Sequence, residues 1–192
     1  MHIHFGKNAI LIIHRYVVRN LVAIDGVNYV GMIQGSIDRA YTTIEGKEIF
    51  PHVLDKAGAI LYANVRFHPF ADGCKRTGIL AAYLYLLYNG YYLKIPPDSA
   101  KFLKRVADLE DNNAPNQEDV INWIRKHSGR KLVNMIFNLS LTISITALGL
   151  DIGEYTSFLL EREILPKEIR KEFRDTELEK ALSKQKLKHT MT

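Results

Sequence analysis

Between Cys74 and Tyr88 the chain reads CKRTGILAAYLYLLY, and beyond its first four residues apolar side chains fall on every face of a helix drawn through it. A helix with no polar face has to be buried on all sides. This is the strongest constraint in the sequence: other helices must surround this one, and Asn89-Gly90 marks where it stops. The length permits such an arrangement. A chain of about 150 residues buries about 70% of its unfolded surface, and 192 residues leave room for an appendage beyond one compact unit.

The surrounding elements are legible. Ala9 to Ala23 carries apolar residues at helical spacing and is stopped by Asp25-Gly26. A second helix is expected from Gln34 to Tyr41. In TTIEGKEIF, Thr42 to Phe50, β-formers flank Glu45-Gly46, which predicts a small hairpin, and Pro51 is placed to open the next helix. His52 to Phe67 presents Val53, Leu54, Ala57, Ile60, Leu61 and Val65 on one face. Asp98 is placed to cap a helix reaching about Leu109, and Asn116 to cap another through Lys126, with Val120, Trp123 and Ile124 as its buried stripe. The expected fold class is mainly α, a helical core around a central buried helix with a small β-hairpin.

Leu132 to Leu150 runs for 19 residues without a formal charge, which is membrane-span length. Six of these residues are Asn, Ser or Thr, and Leu139, Leu141, Ile143 and Ile145 alternate with Ser140, Thr142, Ser144 and Thr146. A period of two predicts a half-buried strand or hairpin packed on the main unit, with a buried helix and membrane insertion as the other readings. Ile152 to Lys188 is helical in composition and broken at Pro166. The expected division is a core over residues 1–128 and a C-terminal extension over residues 129–192.

Composition removes several classes of function. Lys plus Arg, 26, exceeds Asp plus Glu, 21, giving a net charge of +5, too small by itself to indicate nucleic-acid binding. Part of the excess is the stretch Lys167 to Thr192, with eight basic and five acidic residues, read as a solvated helix fraying into a tail. Cys74 is the only cysteine, so an intrachain disulfide scaffold and a Cys-based zinc site are excluded. The start, MHIHFGKNAILIIHRYVV, shows no basic leader and no small-residue cleavage site, and a cytoplasmic location is expected. His2 and His4 lack acidic partners for a metal site. Tyr83, Tyr85, Tyr88, Tyr91 and Tyr92 read as core and rim residues.

Chemistry concentrates in RFHPFADGCKRT, Arg66 to Thr77, a short loop between two helices. The N-terminus of the second helix presents unpaired N–H groups and the positive end of its dipole, which makes an anion site above Gly73 and Cys74. Lys75 and Arg76 sit in that first turn, where cations are unfavourable unless an anion is bound, and a phosphate resolves the conflict. Asp72 supplies a carboxylate of the kind Mg²⁺ uses while bridging phosphate oxygens. His68 is placed to accept a proton from an attacking hydroxyl. A purely structural reading stands beside this one: Pro69 and Gly73 shaping a turn, Phe70 as a core plug, His68 as a helix cap. A Walker-type loop is excluded, because the earlier glycine and the Gly-Lys-Ser/Thr ending are missing.

HPFADGCKRT followed by a helix ending in NGYYL resembles the signature of the Fic/Doc family, and its death-on-curing branch more than the larger Fic branch. The resemblance extends upstream through GMIQGSIDRAY and the hairpin, and covers roughly Asn8 to Ser128. It implies an all-helical core whose loop and helix bind ATP with Mg²⁺, and a histidine that deprotonates a hydroxyl on a target protein. Fic members transfer AMP; the Doc branch is implied to transfer the γ-phosphate, with a threonine of elongation factor Tu as target and an antitoxin as neutralising partner. Carried over, His68 is the base and Asp72 the Mg²⁺ ligand. Gly73 and Cys74 form the anion hole, and Lys75 and Arg76 contact phosphates. Thr43, Ile44, Glu45, Gly46 and Lys47 belong to a flap that aligns the target by strand addition.

Two features depart from the family pattern. Cys74 stands where the family has asparagine, and a thiol replaces an amide's hydrogen bonds weakly. A catalytically impaired relative that binds a nucleotide or an antitoxin-like partner is therefore the alternative function. A nucleophilic Cys74, activated by the helix terminus, Lys75 and Arg76, is a further reading. Secondly, TSFLLERE, Thr156 to Glu163, has the Ser157 and Glu161 spacing of an autoinhibitory helix found in some Fic relatives, but Arg162 follows where Gly or Asn is expected. The apolar face of that segment predicts burial against the core or against a second copy in a homodimer.

Overall fold

In a computed structural model, residues 3–20, 23–149 and 151–161 are described. Among them are eight helices and two small antiparallel sheets. The central helix is α4 (Cys74–Tyr88), with the bounds its composition predicts. Ile79, Leu80, Ala81, Ala82, Tyr85 and Tyr88 are fully buried. α3 (Val53–Arg66) lies against both α4 and α6 (Gln117–His127). At the α3–α6 crossing a Cβ on Gly58 would stand 2.7 Å from the Ile121 Cα, so the two backbones approach as closely as they do only because residue 58 has no side chain. α6 opens with the expected cap: the Asn116 side chain accepts from the Asp119 N–H and the Asp119 carboxylate accepts from the Asn116 N–H.

α1 (Lys7–Asn20) packs on α4 through Ile10, Ile13 and Val17. It begins two residues before the expected position and stops short of Ala23. α2 (Val30–Asp38) starts at Val30 rather than Gln34 and passes into a 3-10 turn at Arg39–Tyr41. The hairpin forms as expected, β1 (Thr43–Ile44) pairing with β2 (Lys47–Glu48) in the register Thr43 with Glu48 and Ile44 with Lys47. Its turn has positive φ at Glu45, 51°, and Gly46, 77°, as a two-residue hairpin turn of the primed type requires. The base of the hairpin is fixed by Lys56 of α3, which is 1% exposed, donates to the Phe50 carbonyl at 2.5 Å and pairs with Glu48 at 3.0 Å.

A second sheet, not anticipated, joins β3 (Tyr91–Leu93) to β4 (Ser128–Arg130). Asp98 precedes α5 (Ser99–Ala107) as expected, but its side chain makes no cap; Ser99 instead donates from Oγ to the Pro96 carbonyl at 2.5 Å.

The strand expected over Leu132 to Leu150 is not formed. The segment is one helix, α7 (Leu132–Leu148), closed by Gly149 in the left-handed conformation. The hydroxyls that produced the alternation bond within the helix, Ser144 to the Ser140 carbonyl and Thr146 to the Thr142 carbonyl, so the polar positions need no second strand. Only the stripe around Leu141, 3% exposed, meets the core; Leu139 and Ile143 are exposed at 61% and 55%. Among the described residues no helix is long and apolar enough to cross a membrane. α8 (Ile152–Glu161) follows and lies against α1. Pro166 and the basic stretch beyond it fall outside the described residues.

The C-terminal end of α4 collects the chain's distant parts. Asn89 accepts from the Ile3 N–H at 2.9 Å and donates to the Ile3 carbonyl at 3.1 Å. Tyr88 bonds Thr156 of α8 at 3.0 Å, and Asn138 of α7 donates to the Tyr88 carbonyl at 2.5 Å.

Candidate active site

The loop between α3 and α4 is held from the outside by residues 24–28. Asn28 donates from its side chain to the carbonyls of His68 and Phe70, both at 3.0 Å, and from its backbone to the Pro69 carbonyl at 2.9 Å. Ala71 N–H donates back to the Gly26 carbonyl at 3.0 Å. Three consecutive loop carbonyls are thus taken by one asparagine, which fixes the loop without a turn motif of its own. Sequence reasoning treats this segment only as the end of α1 and misses Asn28.

His68 stands just past the end of α3 with φ of +47°, a left-handed backbone that few non-glycine residues adopt. Its Nε2 lies 3.2 Å from the Ala107 carbonyl. A carbonyl can only accept, so Nε2 is the donor, and the neutral ring held this way has its lone pair on Nδ1. Arg66, two residues earlier, donates to the carbonyls of Val106 and Asp108, so the end of α5 forms the wall behind this histidine.

Asp72 accepts from the Gly73 N–H at 2.5 Å and the Ile24 N–H at 3.2 Å, and Arg76 Nη2 lies 3.4 Å from each of its oxygens. The Asp72 side chain is 32% exposed while Arg76 is 9% exposed, so the carboxylate opens to solvent from above a buried guanidinium. Gly73 is the N-cap of α4 with φ of +76°, and no side chain caps the helix. A Cβ at Gly73 would meet Val17 at 3.0 Å and Ala23 at 3.2 Å. Backbone conformation and space both demand glycine here. Lys75 is exposed beside this uncapped terminus. An uncapped first turn, a lysine and a half-exposed carboxylate together suit a phosphate-bearing ligand. Among the described residues no three His, Cys, Asp or Glu side chains converge. The donor set fits Mg²⁺ that takes one carboxylate and completes its shell from phosphate oxygens and water, and does not fit an ion held by protein alone.

Cys74 is 5% exposed and donates from Sγ to the Phe70 carbonyl at 3.2 Å. Burial pushes its thiol above the ordinary value, against the opposing effects of the Phe70 carbonyl and Lys75. Burial thus opposes the further reading of an activated thiol, against the helix terminus and the neighbouring cations.

Phe70 is the expected core plug, 1% exposed. It stacks on His14 of α1, ring centroids 3.6 Å apart and planes 9° from parallel. His14 is 2% exposed, its Nδ1 is 3.1 Å from Thr77 Oγ1, and its Nε2 is buried with no hydrogen-bond partner. Burial pushes this imidazole below its ordinary value, with Asp25 and Asp72 pulling the other way. Sequence reasoning misses His14 too. The available signal was a polar residue on the apolar stripe of Ile10, Ile13 and Val17.

The flap residues Thr43, Ile44, Glu45, Gly46 and Lys47 are all exposed, leaving the hairpin's edges open for pairing. Ser157 donates to Glu161 at 3.0 Å. Both line a cavity of about 430 Å³ with Arg15 and Arg19 of α1. His4 stacks on Tyr41, centroids 4.4 Å apart, and His2 lies outside the described residues.

Comparison with known proteins adds a family match and a named relative. The sequence profile of the Fic/DOC family matches residues 5–86, a span holding α1 to α4 and the loop just described. A relative called Toxin Doc, from Mycolicibacterium smegmatis (strain ATCC 700084 / mc(2)155), is 36% identical over 90 residues, 47% of this chain and 66% of its own length. The alignment thus spans just under two thirds of that relative and leaves about half of this chain unmatched. On these two matches, residues 5–86 of the chain are similar to the Fic/DOC family.

Proposed function

We propose that the protein is a Doc-type toxin enzyme transferring the γ-phosphoryl group of Mg-ATP to a hydroxyl of a target protein. The observation that carries this reading is that one loop holds an uncapped helix terminus at Gly73, the partly exposed Asp72 and His68, whose Nε2 is turned to the Ala107 carbonyl. The target oxygen forms a bond to the γ-phosphorus, the bond from that phosphorus to the bridging oxygen breaks, and ADP leaves. The hydroxyl proton goes to His68 Nδ1. The first-turn N–H groups of α4 and Lys75 take up charge on the phosphates, and Arg76 sets the carboxylate of Asp72 beneath them. Mg²⁺ held by Asp72 would neutralise phosphate charge. The hairpin of β1 and β2 presents open edges on which a target segment adds as a strand, and Lys56 holds the base of that platform. The similarity to Toxin Doc supports an antitoxin-type partner for this chain as well.

AMP transfer uses the same residues with the nucleotide reversed: the bond forms at the α-phosphorus and pyrophosphate leaves. ATP labelled at the γ or the α position, incubated with the protein in cell extract, separates the two. Protein-bound γ label is the expected result. Bound α label gives AMP transfer, and no transfer of either overturns the enzyme reading.

One observation favours a second reading. Cys74 Sγ bonds back to Phe70 instead of supplying an amide to the anion hole, as an impaired relative that still binds a nucleotide or an antitoxin-like partner would.

A further inference from the structure

His14 is a buried polar residue on the apolar stripe of α1. Its neighbours along the α1 stripe, Ile10, Ile13 and Val17, are fully buried, and its own Nε2 is buried without a partner. A buried nitrogen left unsatisfied is a cost that leucine or phenylalanine would avoid. What the imidazole provides in return is contact with three parts of the loop and helix at once. Its face lies on Phe70 at 3.6 Å. Its Nδ1 is bonded to Thr77 in the first turn of α4. Its Cε1 lies 3.6 Å from where a Cβ of Gly73 would be, directly behind the N-cap.

We propose that His14 is a positioning residue for the phosphate-binding end of α4. The stack fixes the loop through Phe70, and the bond to Thr77 fixes the rotation of the first turn against α1. Together they set the direction in which the N–H groups after Gly73 point. Phenylalanine would keep the stack and remove the unsatisfied nitrogen, but it would free Thr77, whose hydroxyl can then turn to the Gly73 carbonyl four residues back. Stability and site geometry therefore pull in opposite directions at this residue, which is how a positioning role differs from a merely structural one. The inference deepens the phosphoryl-transfer reading and rests on the same anion site.

The test compares wild type with His14→Phe, His14→Gln and Thr77→Val in the full chain. It measures melting temperature, Mg-ADP affinity by calorimetry, and hydrogen exchange of the amides from Phe70 to Thr77. His14→Phe should melt at or above the wild-type temperature, yet bind Mg-ADP about 10-fold more weakly, in the range seen when groups that orient a ligand-binding residue are removed. Its amides from Phe70 to Thr77 should exchange faster. Thr77→Val should reproduce both effects, and His14→Gln, which can still bond Thr77, should recover part of the affinity. Unchanged affinity and unchanged exchange in His14→Phe would overturn the proposal, as would an affinity loss accompanied by a matching loss of melting temperature in all three variants. If wild type binds no Mg-ADP, the transferase reading fails, and the exchange of those amides alone still decides the role of His14.

Discussion

Cys74 and His68 show how much a single atom decides at this site. The Cys74 thiol spends its one donor on the Phe70 carbonyl. Cys74→Asn should raise nucleotide affinity or transfer, up to about 100-fold if it restores a missing anion-hole donor; a fall in labelled-ATP transfer would mean that the thiol has its own role. His68→Ala should abolish transfer and leave Mg-nucleotide binding nearly intact, because the base meets only the target hydroxyl. Asp72→Ala should weaken Mg-nucleotide binding as well, and calorimetry with and without Mg²⁺ distinguishes the two variants. A third consequence concerns pH. The folded-state pKa of His14 is lowered by burial, so the unfolded chain binds this proton at a higher pH than the folded one. Its contribution to stability is fully present above the unfolded value of about 6.5 and is lost as pH falls through the lower folded value. Urea midpoints measured across that interval should decline for wild type and decline less for His14→Phe.

Among the elements, α4 and α6 were legible because each carries a local signal that packing does not contradict: an apolar surface ended by Asn-Gly for one, a complete capping box for the other. α7 was not, because hydroxyls spaced two apart fit a strand's outer face and also bond back along a helix, and only the second option is set by the surroundings. The strap at residues 24–28 was equally hidden, since Asn28 acts on carbonyls 40 and 42 residues away. The candidate site's residues, by contrast, are local in sequence: His68, Asp72, Gly73 and Arg76 fall within one loop and one helical turn, and Asp72 pairs with Arg76 four residues on. The hairpin makes its own prediction. Lys56→Met removes both anchors of β2 and leaves the Phe50 carbonyl unsatisfied, which should cost about 1–3 kcal/mol. It should also raise KM for the target protein several-fold while nucleotide affinity holds. Steady-state assays with the target varied at fixed ATP would show it.

At the scale of the whole molecule, the apolar core continues from α1, α3 and α4 into Leu141 of α7 and Leu159 and Leu160 of α8. Cutting the chain after Ser128 would uncover Tyr88 and remove its bond to Thr156. The truncated form should melt lower than the full chain and expose apolar surface to a dye such as ANS. A fragment as stable as the full chain would show that α7 and α8 add nothing to the core. The position of those contacts also bears on synthesis at the ribosome. His68, Asp72, Gly73, Lys75 and Arg76 have all been translated once Thr77 is in place, yet α4 gains its bond to α8 only when Thr156 emerges. That interval separates the writing of the site from its assembly.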